Sequence, residues 1–309
     1  MLEPTLEFLR CVRCGSKLDL DAFKIEKEIQ EGILECKKCK LTFPIIEKIP
    51  ILWDDFSKYL SHRKILGGKL YQSAITEKMK HFLKSSLSKT IPVDDRTALE
   101  ERWSKIYQNS KHSKFYSLIK KDLDTLPKSN FVLEYGCSIG IMTSFLADSN
   151  EMVFGIDRSF SALQFAKKTY KPNLDYVVAD SMSLIFDKLH FDLVLALNIL
   201  ELIEPLEFLK HLSKQISSGY FVISDPYDFD RNANTVKKPL TESQLRATLE
   251  KFGFKISLKT KTPSYISWNL KLNPRATLYY KVDLIIGKKQ NSSKSNSSKY
   301  LETRHLQPL

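Results

Sequence analysis

Across residues 131–224 the chain repeats one pattern five times, a short apolar run that stops at a polar residue. The runs are 131–134 ending in Glu134, 152–157 ending in Asp157, 174–180 ending in Asp180, 191–197 leading into Asn198, and 220–224 leading into Asp225. Between them lie stretches with apolar residues at three- and four-residue spacing, such as 142–148, 160–168 and 205–216, which read as helices. Strands that alternate with helices pair through crossovers, so this part of the chain calls for a parallel sheet with helices on its faces.

The first run enters a turn, FVLEYGCSIG at 131–140, with glycines at 136 and 140. A strand that stops in a glycine turn before a helix sets bare backbone N–H groups and a helix N-terminus against a ligand. A dinucleotide-binding turn needs G-x-G-x-x-G, but the second and third places here hold Ser138 and Ile141. The spacing E-x-G-x-x-x-G resembles instead motif I of the class I S-adenosylmethionine (SAM)-dependent methyltransferases, whose cofactor carries no phosphate. The resemblance spans roughly residues 100–289 and takes in a helix at 242–252 and strands at 254–260 and 277–288. It implies an α/β, Rossmann-like seven-stranded methyltransferase sheet, six strands parallel and one antiparallel. By that resemblance the cofactor is SAM. Glu134, Gly136, Ser138 and Gly140 would lie around its methionine part, Asp157 and Arg158 at its ribose, Asp180, Ser181 and Met182 at its adenine, and Asn198 at its amino-acid end.

Four of the five cysteines form two pairs, Cys11-x-x-Cys14 and Cys36-x-x-Cys39, with 21 residues between the pairs. Two such knuckles supply four thiolates at tetrahedral reach, the pattern of a closed structural Zn²⁺ site. Disulfides are the competing reading, and the C-x-x-C spacing and a reducing compartment argue against them. The surrounding segments resemble the small zinc ribbon found as the activator subunit of some RNA and protein methyltransferases and fused ahead of others. Gly32 and Pro44 stand at that ribbon's turn and Tyr/Phe-Pro-Ile places, while Lys48 stands where it usually has Gly. The implied job is architectural, a metal in place of a core too small to stand alone. Cys137, inside the glycine turn, reads as a packing residue, and the six histidines show no ligand spacing.

No apolar run approaches the ~20 residues that cross a bilayer, and the first ten residues carry charge where a signal peptide needs an apolar core. The expectation is a soluble, cytoplasmic protein with no membrane contact. The net charge of +12 is uneven: residues 1–130 hold 25 basic and 18 acidic side chains, 131–230 hold 7 and 14, and 231–309 hold 16 and 4. Stretches 58–89, with Glu77 as the one acid, and 251–275, with none, suit either an anionic partner or solvated faces. The final stretch, rich in Ser, Lys and Asn, reads as a disordered tail. The expected division is a zinc ribbon at 1–56, a basic helical linker at 57–98, the methyltransferase part at 99–289 and the tail at 290–309.

Methyl transfer from a sulfonium is an in-line displacement with an excellent leaving group, so the protein mainly aligns the acceptor and removes a proton where needed. The residues concerned belong at the carboxyl ends of the fourth and fifth strands. There the chain carries Asn198 and Glu201, the latter read as a first-turn helix acid before a general base. Together with Asp225-Pro226-Tyr227, this segment resembles histidine-directed methyltransferases of the ovothiol pathway and of proteins. That likeness implies that Asn198, Asp225 and Tyr227 line the acceptor pocket; a proline turn with a packed tyrosine is the alternative. Residues 264–275, with Trp268, Asn269 and Arg275, read as a long connection able to lie over the strand ends as a lid, or in part as an extension of the flanking strands. Residues 99–126 read as helical, with Trp103, Ile106, Tyr107, Phe115, Leu118 and Ile119 on the apolar face. The expected function is methyl transfer to a nitrogen, histidine-like, of a protein or small molecule. An RNA acceptor held by the basic flanks and a non-catalytic scaffold, for which Ser138 in a glycine place speaks, stay open. The sequence names neither the acceptor nor the oligomeric state.

Overall fold

The structure is a computed structural model that describes residues 1–186, 191–228, 230 and 236–290. The expected tail lies outside the described residues, apart from its first residue. The chain opens with the two cysteine knuckles and four antiparallel strands, β1 (Asp19–Ile25), β2 (Ile29–Cys36), β3 (Leu41–Ile46) and β4 (Ile49–Leu52). The two-residue turn between β3 and β4 holds Glu47 at φ 50° and Lys48 at φ 69°. Left-handed backbone at both central positions is the geometry of a tight hairpin turn, one that glycine would adopt without strain at Lys48.

Next come α1 (Phe56–Ser61), α2 (Lys64–Ser73), α3 (Glu77–Ser88), α4 (Thr97–Asn109) and α5 (Lys114–Leu123). Asp55 caps α1 by accepting from the Lys58 N–H, and Thr76 caps α3 by accepting from that of Met79. The single helical stretch expected over 99–126 is thus two helices, parted at Ser110 and Ser113, whose hydroxyl-bearing side chains favour breaks and caps over helix interiors.

The rest is β5 (Phe131–Tyr135), α6 (Ile141–Leu146), β6 (Met152–Asp157), α7 (Phe160–Ala166), β7 (Leu174–Ala179), β8 (Leu193–Leu197), α8 (Pro205–Gln215), β9 (Tyr220–Asp225), α9 (Glu242–Lys251), β10 (Phe254–Ile256), β11 (Ile266–Asn273) and β12 (Ala276–Lys289). In space the order is β7-β6-β5-β8-β9-β12-β10. The first five pair in parallel, while β12 runs antiparallel to both β9 and β10, so six strands point one way and one the other. Both faces are covered. Val132, Val153, Val178 and Leu195 point to one buried cluster, and Leu133, Phe154, Val177 and Ala196 to the other, which is why these strands read as continuous apolar runs. The chain winds outward from β5 in both directions, leaving a crevice above the carboxyl ends of β5 and β8.

One expectation is corrected and another is narrowed. The strand expected over 254–260 stops at Ile256 and gives way to a 3₁₀ turn, Leu258–Thr260, whose Thr260 hydroxyl accepts from Ile286 N–H and donates to its carbonyl. Of the two readings of 264–275, strand extension holds for most of it: β11 pairs with β12 from Ile266↔Val282 to Asn273↔Ala276 as a long hairpin. Trp268 is buried in it at 2% exposure, against Tyr107, Phe115 and Tyr280.

The knuckle-bearing region does not hang free. β4 pairs in parallel with β7, Ile51 opposite Val178 and Leu52 opposite Ala179, so the sheet runs on into β3, β2 and β1. Fully buried Asp175 on β7 accepts from Leu2 N–H at 2.7 Å and Thr5 hydroxyl at 2.8 Å. Lys167 bridges Asp175 at 2.7 Å and Glu28 of the knuckle-bearing region at 2.5 Å. Phe8 meets Phe131 and Phe154 edge-on, each at 5.6 Å.

Candidate active site

A cavity of about 430 Å³ sits over the carboxyl ends of β5, β6, β7 and β8. Its floor is the glycine turn. Gly136 and Gly140 hold φ of 63° and 71°, and a Cβ at Gly140 would lie 2.3 Å from the Tyr176 hydroxyl, so only glycine lets α6 start this close to the sheet. Ser138 also adopts a positive φ, 50°, and its backbone N–H donates to Asp157 Oδ2 at 2.8 Å. That bond ties the first turn to the second strand end. The other oxygen of Asp157 accepts from Ser159 N–H at 2.8 Å, and the Ser159 hydroxyl caps α7.

Glu134, Asp157 and Asp180 all line this cavity, as do Gly136, Ser138, Arg158, Ser181 and Asn198. Glu134 is 3% exposed and accepts from the Thr143 hydroxyl. Burial pushes its carboxyl up to about 8, against the pull of that hydroxyl. Burial also raises Asp157, against the two backbone donors. Gly140 sits beneath the turn rather than in the cavity wall, and Met182 is not among the lining residues; its N–H holds Asp180 Oδ1 at 2.8 Å. Cys137, 4% exposed, presses its sulfur against Gly155, and burial lifts its thiol well above the ordinary range.

The strand ends on the far side behave differently. Asn198, at φ 54°, lines the cavity, and its side-chain oxygen accepts from the Ser224 hydroxyl at 2.8 Å. Asp225 and Tyr227, expected to line an acceptor pocket, are not brought there. The Tyr227 hydroxyl donates to Asp283 Oδ2 at 2.9 Å, and the same carboxylate takes a two-pronged bond from Arg246 at 2.7 and 3.0 Å. Asp225, 5% exposed, is pushed up to about 8, first by burial and then by nearby Glu201. Glu201 itself sits in a turn ahead of α8, whose N-cap is Glu204, so it is no first-turn helix acid.

The wall opposite the glycine turn was less legible. Trp103 and Tyr107 from α4, Phe115 and Tyr116 from α5, and Trp268 from β11 form an aromatic side of the cavity, joined by Glu100 and Ser104. The helical spacing of α4 and α5 and the lid expected at 264–275, with Trp268, hinted at part of it.

The four knuckle sulfurs lie within 4.8 Å of one another, with Cys14 and Cys36 at 3.5 Å. A tetrahedron of about 2.3 Å zinc–sulfur bonds has edges of about 3.8 Å, so the set fits the ion with no open position.

A methyltransferase-domain family model matches residues 132–219, and a Trm112p-like protein model matches 3–47. The chain joins a Trm112p-like ribbon to a methyltransferase domain. Its enzyme class is therefore SAM-dependent methyltransferase, with SAM and structural zinc as cofactors. Among solved structures, the chain resembles the complex between the Haloferax volcanii Trm112 methyltransferase activator and a methyltransferase, at 16% identity and TM-score 0.51 over 64% of this chain and 97% of that one. It also resembles magnesium protoporphyrin IX methyltransferase from Synechocystis PCC 6803, at 17% identity and TM-score 0.48 over 63% and 95%. No curated protein matches in sequence. Among the described residues, no helix of this methyltransferase is long and apolar enough to cross a membrane.

Proposed function

We propose that the cavity over β5–β8 holds SAM and that the methyl group passes to a nitrogen of a small-molecule or protein acceptor seated against the aromatic wall. The observation that carries the reading is that carboxylates from three consecutive strand ends, Glu134, Asp157 and Asp180, share one cavity with a glycine turn. SAM would supply a methyl whose carbon–sulfur bond breaks onto a neutral thioether as the acceptor nitrogen's lone pair attacks, a leaving group that needs no acid assistance. The chain's own task is then holding and alignment. Asp157, already fixed by two backbone donors, keeps lone pairs for ribose hydroxyls; Asp180 and Ser181 face the adenine end. Glu134 and the backbone of Gly136 and Ser138 face the methionine end, and Arg158 borders the ribose. Asn198, locked by Ser224, presents its amide to the reacting end, while Trp103, Tyr107, Tyr116 and Trp268 exclude water there and favour a flat acceptor. Tyr227 serves instead to hold the end of β9 to β12, and Asp225 lies buried beside Glu201. Acceptor classes separate on incubation with methyl-labelled SAM and cell extract: label in protein or small solutes supports the reading, and label in RNA overturns its acceptor half. Calorimetry with S-adenosylhomocysteine tests the cofactor half, and absence of binding leaves only a scaffold.

The basic flanks carry less weight for RNA than their sequence suggests. Lys69 pairs with Glu101, Lys78 with Asp21, Lys80 with Glu77 and Lys259 with Asp122.

A further inference from the structure

The loop that carries Asp157 is gripped from outside the methyltransferase sheet. Tyr59, on α1, is 1% exposed, and its hydroxyl donates to the Arg158 carbonyl at 3.1 Å while accepting from Phe160 N–H at 3.3 Å. These two residues bracket Ser159, whose own N–H holds Asp157 Oδ1. The Tyr59 ring is held by its neighbours: Trp53 lies 5.2 Å away at a tilt of 52°, and the guanidinium of Arg63 sits 4.1 Å over the ring. Arg63, 2% exposed, in turn clasps Glu100 of α4 with two bonds at 2.6 and 3.1 Å, and Glu100 lines the cavity beside Asp157. The start of α1 is set by β4, three residues earlier, which is pinned to β7.

We infer that Tyr59 is a positioning residue for the cofactor: its hydroxyl fixes the 158–160 backbone so that Asp157 meets the ribose in a ready-made orientation, making the ribbon's last strand and the helix after it part of the adenosyl site. This rests on the ribose role proposed for Asp157. A preset carboxylate spares binding the cost of ordering that loop, so the benefit appears in affinity.

The test is a double-variant cycle on S-adenosylhomocysteine binding, read by calorimetry. Tyr59→Phe keeps the ring, its tilted contact with Trp53 and the Arg63 contact, and removes only the hydroxyl. It should weaken binding about five- to tenfold, the worth of one or two net hydrogen bonds, with the melting transition still cooperative. Asp157→Asn should weaken it further, and adding Tyr59→Phe to Asp157→Asn should then cost less than twofold, because the hydroxyl acts through that carboxylate. Unchanged affinity in Tyr59→Phe, or full additivity in the double variant, overturns the inference while leaving the methyltransferase reading standing. A wild-type protein that binds no S-adenosylhomocysteine removes both.

Discussion

The carboxyl edge of the sheet has two halves built from the same sequence device, an acid where a strand stops, and they come to opposite ends. On the β5–β7 half, Glu134, Asp157 and Asp180 look into a cavity and have few partners beyond backbone N–H groups and one threonine. On the β9 half, Asp225 is sealed in beside Glu201, and Tyr227 is bound to an Asp283–Arg246 pair supplied by β12 and α9. A strand-end acid becomes a ligand-facing group only where packing leaves a cavity beside it; where packing closes, as at Asp225, burial beside Glu201 raises the carboxyl instead.

Substitutions can break that contrast. The largest effect is expected from Asp283→Ala, which strands Arg246 at 8% exposure and removes the acceptor of the Tyr227 hydroxyl. About 3–5 kcal/mol of stability should be lost in denaturant unfolding, with S-adenosylhomocysteine affinity moved less than threefold. Asp157→Ala should do the reverse: affinity falls by about a hundredfold, some 2.7 kcal/mol, and unfolding changes far less. A comparable loss of affinity in both variants would erase the distinction.

Protons sharpen it further. Glu134 and Asp225 both rise to about 8, so each is protonated in the fold and ionised in the unfolded chain between their ordinary values and that point. The folded state therefore binds more protons there, and stability should be full near pH 4 and decline as pH climbs toward 8. Glu134→Gln and Asp225→Asn should each flatten part of that slope in melting curves. Only Glu134 should link the slope to cofactor binding: its proton should leave when a cationic amino-acid end arrives, giving a binding enthalpy that varies with buffer in the wild type and in Asp225→Asn but not in Glu134→Gln. The smallest change concerns the hairpin before the sheet junction. Lys48→Gly removes a side chain from φ 69° and should raise stability by about 0.5–1 kcal/mol, read as a higher denaturant midpoint.

Legibility in the sequence follows the same line. The parallel strands showed because burial on both faces leaves no polar alternation to disguise them, and the knuckles because metal ligation fixes spacing. β11 was only half visible: SWNLKLN alternates Trp268 and Leu270 inward with Asn269 and Lys271 outward, a pattern short enough to pass for a polar connection as well as for more strand. The fate of Tyr227 was decided by Asp283, 56 residues on, and the grip of Tyr59 lies 99 residues from Arg158. Partners that distant leave no mark on local spacing, so Asn198 could be placed from sequence while Asp225 and Tyr227 could not.

The junction between β4 and β7 has just two facing residue pairs. Leu2 and Thr5 on Asp175, Glu28 on Lys167, and Phe8 on Phe131 and Phe154 close the rest of it, and tethering makes that closure unimolecular, with an effective concentration that dilution cannot lower. A cut of the backbone at residues 53–55 should therefore leave the two pieces associated, whereas loss of roughly the first fifty residues should bare a β7 rim open to any other strand it meets.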